Sequence, residues 1–386
     1  MPTRHTAPNG EPGSSPIRVA IDTTPLIGAR TGIGQLVAGL VDELERRPEV
    51  RIRRVAFTWK GRHEAGAQRY PIPARAAHAV WARSNRGAIE WWSGPVDVVH
   101  GTNYVVPPTR RAGRIVSVHD LTAVHFPQLC TPATRRHPAM VQRAVGAGAW
   151  VHCDSQFVAH EVQEWLGIGP ERVRVVMPGI PAVRAHTVSS AAPPLIPELV
   201  SLGHSPFILA IGTAEPRKDL PCLVRAFGHL AAAHPELRLV HAGPPGWGSA
   251  AVDEAVAALG ASVGPRVSRL GWVNNDERDF LLANASVFVY PSLYEGFGLP
   301  PLEAMAQGIP VVATHVGSLP EVLGDAAVLV APGDDVGLAA AIDNMLTSDV
   351  ARAAAISAGH SRVTRYTWNR MGSEMITLYR DVQCES

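Results

Sequence analysis

Cysteine is scarce: Cys130, Cys153, Cys222 and Cys384 lie far apart, with no CxxC pair and no neighbouring His at metal-ligand spacing. That usage suits a reduced, cytosolic chain better than a disulfide framework and gives no reason to expect a structural metal. An excess of either charge is also missing. The formal net charge of +1 contrasts with the basic excess of dedicated nucleic-acid binders, so nucleic acid is not an expected partner. No uninterrupted apolar run reaches membrane-spanning length, and the Pro-, Gly-, Ser- and Thr-rich stretch from Met1 to Pro16 lacks the apolar core of a signal peptide. Residues 1–16 are therefore expected to be a disordered tail and the protein to be cytoplasmic. What is present is a chain of 386 residues, 46% hydrophobic, too long for one ordinary core and suited to two domains.

Short β-branched runs alternate with segments of helical period. In the first half "IRVAID", "VRIRRVAFT", "VDVVH", "RIVSVHD", "WVHCDS" and "VRVVMPG" read as strands, with helices expected over Gly34 to Arg46, Thr134 to Ala149 and Val158 to Leu166. The alternation restarts with "FILAIG", "LRLVHAG", "VSRLGWV", "VFVYPS", "PVVAT" and "AVLVAP", each followed by a helical candidate. The pattern predicts an α/β chain with two Rossmann-like, doubly wound domains, over 17–182 and 206–365, facing a cleft. The proline-rich residues 183–205 read as an interdomain linker, and 366–386 as a C-terminal helix. In such sheets ligands bind beyond the carboxyl ends of the strands, so function is expected in the loops that follow them.

One such loop, "YEGFGLPPLEAMAQG", holds Glu295 and Glu303 eight residues apart. Gly296 and Gly298 allow close backbone approach, Pro300 or Pro301 can open a helix and Gly308 can end it. Glu303 then falls in the first turn, beside free N–H groups around Phe297 to Leu299, which offers hydroxyl acceptors next to anion donors. The same acids could simply complement a helix dipole or stand solvated in a loop. "GTAEPRKDL" places Arg217 and Lys218 after a strand, where two cations can neutralise charge on a departing diphosphate. In the first domain "IDTTPLIGARTGIGQLVAGL" joins a strand to a helix through Gly32 and Gly34, but Val37 stands where a dinucleotide fingerprint needs its third glycine. His119 and Asp120 end a strand in "SVHDLT". A histidine there can equally be a satisfied capping group.

"EGFGLPPLEAMAQGIPVVAT" resembles the signature of the large retaining glycosyltransferase family with the GT-B fold, glycosyltransferase family 4, which includes sucrose synthases and many bacterial mannosyltransferases. "IGTAEPRKDL", "LGWV", "GSLPEV", "SVHDLT" and "TGIGQLVAGL" look like family segments in family order. The resemblance implies that Glu303 binds the ribose diol of a nucleotide sugar and Glu295 the hydroxyls of the transferred sugar. The turn of Gly296, Phe297, Gly298 and Leu299 would then carry the diphosphate. Arg217 and Lys218 become the leaving-group clamp beside Gly212 and Thr213. Gly271, Trp272 and Val273 would pass the base through backbone contacts, and the loop around Gly32 would close over the phosphates. His119 would lie near donor sugar and acceptor as an orienting or polarising group, with Asp120 on the acceptor side. Thr213 stands where the family often has a basic residue, which brings the chain closest to the subgroup reading "GTxEPRK", often assigned to mannosyl transfer.

These expectations converge on a retaining hexosyltransferase that uses a nucleoside-diphosphate sugar, GDP-mannose favoured over UDP-hexose, and a hydroxyl acceptor. The leaving phosphate would assist front-face attack, with no further cofactor. No DxD-type pair precedes the donor loop, so metal independence is expected. The C-terminal "YTWNRMGSEMITLYRDV" would pack back across the first domain. Alternatives left open are a nucleotide-sugar epimerase or non-catalytic binding protein on the same fold, a glycoside hydrolase with paired carboxylates, and a nicotinamide oxidoreductase.

The neutral balance hides a segregation. Arg46, Arg47, Arg51, Arg53, Arg54, Lys60, Arg62, Arg69, Arg75, Arg83 and Arg86 face only Glu49 and Glu64 over the same stretch, with Trp59 and Trp81 interleaved and Trp91 and Trp92 beyond. Such a segment suits an anionic membrane surface or an anionic, lipid-linked acceptor. It also suits a solvated face whose arginines pair locally.

Overall fold

The computed structural model describes residues 15–28, 32–58, 67–70, 74–81, 83–84, 86–181, 202 and 205–385. Nearly all of the expected tail and linker therefore lies outside the described residues, as do Trp59, Lys60, Arg62 and Glu64.

Seven strands form the first sheet: β1 (Ile17–Asp22), β2 (Val50–Phe57), β3 (Gln68–Tyr70), β4 (Val98–Gly101), β5 (Gly113–Val118), β6 (Trp150–Cys153) and β7 (Val173–Val175), in the order β3-β2-β1-β4-β5-β6-β7. Six form the second: β8 (Phe207–Ile211), β9 (Arg238–Ala242), β10 (Val267–Gly271), β11 (Val287–Tyr290), β12 (Val311–Thr314) and β13 (Ala327–Val330), in the order β10-β9-β8-β11-β12-β13. The registered pairs run parallel, β1 on β2 from Ile17↔Val50 and β8 on β9 from Phe207↔Arg238. Each sheet reverses strand order beside its first strand, the arrangement that opens a ligand crevice at the strand ends.

Strands covered on both faces need continuous apolar runs, and β11, β12 and β6 are buried at every position. The helices supply the covers. Leu220–Leu230 buries Leu220, Leu223, Val224, Phe227 and Leu230, the spacing of one helical face, among Ile208, Ala210, Val287 and Val289 of the sheet. Gly32–Glu45 buries Leu36, Val37, Leu40, Val41 and Leu44 in the same way.

Two local readings are corrected. The helix expected from Gly34 begins at Gly32. The helix expected from Thr134 starts as a 3-10 turn, Thr134–Arg136, and becomes α-helical at His137–Gly146. Pro138, which lacks an N–H, then occupies the second α-helical position, where no intrahelical donor is needed.

Contacts divide the chain into two compact units: Met1–Ser117 with Arg143–Trp150 and Gly372–Ser386, and Val118–Gln142 with Val151–Met371. In the first, the end of helix Trp368–Cys384 sets Tyr379, fully buried, against His100 of β4, whose Nδ1 lies 2.9 Å from the phenol and whose Nε2 lies 2.8 Å from Ser117 Oγ. In the second, Phe297, Leu302, Met305 and Tyr366 join the core beneath β11 and β12.

Candidate active site

In the second unit, three loops after β8, β9 and β11 are laced together by backbone bonds and glycines. Gly212 directly follows β8, with φ 145. A side chain at Gly243 would lie 1.9 Å from the Gly212 carbonyl oxygen, so only glycine lets the loop after β9 run this close. Gly248 N donates to Ala214 O at 2.9 Å and Ala214 N to Pro244 O at 3.1 Å. Beneath them buried His241 donates from Nε2 to Gly212 O at 2.8 Å, and burial holds its pKa below the ordinary value.

This frame delivers two cations to one acid. Glu295 Oε1 receives Lys218 Nζ at 2.6 Å, Arg217 Nη1 at 2.8 Å and Ser292 Oγ at 2.7 Å. Arg217 is tethered further by donating to Tyr294 O at 2.9 Å, and Lys218 also donates to the Tyr290 hydroxyl. Gly212, Lys218, Tyr290 and Pro291 line a small cavity here.

Burial alone would favour neutral Glu295, yet the charges of Arg217 and Lys218 and the donated hydrogen bonds overrule it and pull its pKa down to about 2. Burial works against the Arg217 charge as well, and Glu295 with Asp120 outweighs it, so Arg217 stays above its usual range. Lys218 moves the other way: burial dominates and lowers its pKa, Glu295 restores part, and the charge of Arg217 lowers it again. The result is an ionised carboxylate between a permanent cation and an amine held below its ordinary pKa.

Glu303 is a separate acid with its own cation. Its helix spans Leu299–Ala306, so Glu303 is the fifth residue, in the second turn and not the expected first. Gly298, at φ 93, ends the turn, Leu299 opens the helix, and Pro300 and Pro301 follow in its first turn, where their missing N–H groups cost nothing. Nor does Glu303 stand outside the core as a solvated acid: it is 8% exposed and accepts from Arg278 of helix Asn275–Asn284. Lys218 is likewise largely enclosed, its side chain 14% exposed.

The glycine turn packs against protein on both sides. A side chain at Gly296 would sit 1.7 Å from His119 O, and one at Gly298 would meet Leu319. Ser155 Oγ donates to Gly296 O at 2.7 Å, and Ser318 N to Glu295 O at 3.0 Å. Phe297 is buried edge-on to Tyr366, so its side chain is core. His119, also buried, donates from Nδ1 to Asp154 Oδ2 at 2.7 Å, which fixes its tautomer. Asp120 accepts from Thr122 N at 2.9 Å. Leu121 N next door donates to the Tyr294 hydroxyl at 3.0 Å, which itself donates to Glu161 Oε2 at 2.5 Å.

The structure thus gathers Gly212, Arg217, Lys218, Glu295, Gly296, His119 and Asp120 through direct or shared contacts. Thr213 lies on the laced loop, Leu299 opens the Glu303 helix, and Gly271 ends β10 at φ 71, followed by half-buried Val273 and by Trp272, 59% exposed. Gly32 belongs to the first unit, with open space where a side chain would project. Sequence reasoning missed Tyr290, Ser292, Tyr294, Asp154, His241 and Arg278. The first three stand at alternate positions just before Glu295, a legible signal, whereas the others are joined to the site only by tertiary structure.

In the first unit, the basic stretch is partly spent on local pairs. Arg47 meets Glu43 at 2.7 Å and Arg54 meets Glu45 at 2.6 Å, while Trp81 is core, edge-on to Phe57. Trp91 and Trp92 remain 63% and 39% exposed on the short helix Glu90–Ser93. Glu90 Oε1 accepts the backbone amides of exposed Arg110 and Arg111 at 2.7 and 3.1 Å, which ties their loop to the short helix that carries the two indoles.

Residues 205–348 match the family model described as Glycosyl transferases group 1. The O-antigen chain mannosyltransferase B of Escherichia coli is 28% identical, over 83% of each chain. The MMP alpha-(1->4)-mannosyltransferase of Mycolicibacterium hassiacum is 34% identical over 45% of this chain and 42% of its own. The solved sucrose-phosphate synthase of Thermosynechococcus elongatus superposes with a TM-score of 0.74 at 20% identity, covering 96% of this chain and 100% of that one, which establishes the shared GT-B fold.

Proposed function

We propose that this chain, with its GT-B fold and its match to the Glycosyl transferases group 1 model over residues 205–348, is a glycosyltransferase that moves a hexose, mannose in preference, from a nucleoside diphosphate to a hydroxyl acceptor with retained anomeric configuration. The observation that carries this reading is the placement of Arg217 and Lys218 around ionised Glu295 at the ends of β8 and β11. GDP-mannose is favoured because "GTAEPRK" fits the mannosyl subgroup and two relatives are mannosyltransferases.

Glu303 binds the ribose diol, Gly271 to Val273 run beside the base, and the backbone of Gly212–Thr213 and Phe297–Leu299 receives phosphate oxygens. Arg217 and Lys218 stabilise the charge that grows on the departing diphosphate, so no metal ion is required. Glu295 orients hydroxyls of the sugar while its own charge is held by the same cations. The bond between the anomeric carbon and the phosphate oxygen breaks, and its electron pair stays on that oxygen. The acceptor oxygen bonds to the anomeric carbon on the same face, and its proton passes to the leaving phosphate. His119, its tautomer set by Asp154, orients the reacting groups, and Asp120 faces the acceptor. The loop around Gly32 closes over the phosphates. The acceptor is lipid-linked or anionic and is met by Trp91, Trp92, Arg110 and Arg111, which would bring a cytoplasmic enzyme peripherally to the inner membrane face.

The test is release of nucleoside diphosphate from GDP-mannose and UDP-glucose with and without a panel of hydroxyl acceptors, the product's anomeric configuration being read by NMR. Acceptor-dependent release with retention supports the reading. Release with inversion, acceptor-independent epimerisation, or cleavage of a simple glycoside without nucleotide contradicts it.

A further inference from the structure

Glu295 is held by Arg217 and Lys218 and Glu303 by Arg278, and this last pairing has no place in the roles assigned above. Arg278 is the fourth residue of helix Asn275–Asn284, and its Nη2 donates to Glu303 Oε2 across a sequence separation of 25 residues. The two side chains are 15% and 9% exposed. The frame behind Arg278 is rigid: Asn274 Oδ1 accepts Glu277 N at 2.9 Å while Glu277 Oε2 accepts Asn274 N at 2.8 Å, and Glu277, Leu281 and Leu282 are buried. That helix follows directly from Gly271–Val273, the segment placed beside the base.

A Glu carboxylate turns about a broad terminal torsion unless something holds its plane. A planar guanidinium on one oxygen does so, and a charge-assisted bond in a nearly dry site does so strongly. We infer that Arg278 is a positioning residue for nucleoside recognition: by engaging Oε2 it sets Glu303 so that Oε1 accepts a ribose hydroxyl. It thereby confers the site's preference for ribonucleotides over nucleotides lacking those hydroxyls. The inference rests on the proposed reading that Glu303 binds the ribose diol.

Calorimetric titration of the full chain with GDP and with 2′,3′-dideoxyGDP, alongside the UDP pair, tests it. The parent binds the ribonucleotide more tightly. In Arg278→Gln, ribonucleotide affinity falls about tenfold, the scale of losing one hydrogen bond to a charged group, while dideoxynucleotide affinity stays within about twofold. Arg278→Lys, which keeps the charge but not the fork, recovers part of the discrimination. It also carries the comparison should the Gln variant fail to fold. A loss of equal size on both nucleotides would mean that Arg278 acts through charge balance or stability alone, and the inference falls. An unchanged preference in the variant overturns it too. Glu303→Gln separates the two levels: if that variant keeps the parent's preference, the ribose reading itself fails. If it abolishes the preference while Arg278→Gln keeps it, only the role of Arg278 fails.

Discussion

Lys218 Nζ lies 2.6 Å from Glu295 Oε1, so a cation expected at the leaving group and an acid expected at the sugar are each other's counter-ions. Arg217 shares the acid at 2.8 Å and lies 3.6 Å from Glu215 as well, so the two cations are held between two carboxylates. A phosphate arriving at this pair meets two cations already gathered at one carboxylate oxygen.

Lys218→Ala is expected to cut transfer by at least about a hundredfold, the scale of removing one charge-stabilising group from a transition state. The fold survives because Arg217 still pairs Glu295. Single-turnover rates and circular dichroism check both statements; near-parental turnover would remove Lys218 from the chemistry.

Acid should weaken the protein through Glu295. Its pKa drops on folding from the ordinary 4.5 to about 2, so the ionised acid stabilises the fold fully above pH 4.5 and loses that contribution as the pH falls toward 2. The contribution is on the order of 3 kcal/mol. Urea midpoints of the parent and of Glu295→Gln at pH 7 and pH 3 measure it. The variant should start lower, since it strands two enclosed cations, and should lose less on acidification. Parallel losses would contradict the assignment.

Gly296→Ala forces a methyl into the His119 carbonyl, 1.7 Å away, and should destabilise by about 1–3 kcal/mol, as overpacking does. Gly32→Ala, with nothing within 4 Å, should stay within about 0.5 kcal/mol of the parent. Thermal denaturation of both variants decides, and equal stability would mean that the backbone around His119 yields.

The strands were legible because short β-branched runs recur between segments of helical period, and the twelve expected runs coincide with strands. β3 escaped because Gln68–Tyr70 is a three-residue strand at the edge of the sheet with two polar positions. The loops carrying Arg217, Lys218 and Glu295 were legible from their place after strands. That Gly296 serves close packing against His119, and that Glu303 answers to Arg278, depends on elements far apart in sequence, whose approach no local pattern encodes.

If the exposed indoles of Trp91 and Trp92 and the exposed Arg110 and Arg111 meet a bilayer, the protein should co-sediment with anionic vesicles at low salt, less so at high salt, and not with neutral ones. Trp91→Ala with Trp92→Ala should weaken this at least severalfold. Absence of binding to either vesicle would leave a soluble anionic acceptor or a merely solvated face.

The most direct measurement of the central claim is a melting-temperature panel with GDP, GDP-mannose, UDP and UDP-glucose. A ligand at a hundred times its dissociation constant stabilises by about 2.7 kcal/mol, a rise of a few degrees for a chain of this size. GDP and GDP-mannose are expected to raise the midpoint most, with the rise lost in Lys218→Ala. No rise with any nucleotide would contradict the donor site built from Arg217, Lys218, Glu295 and Glu303.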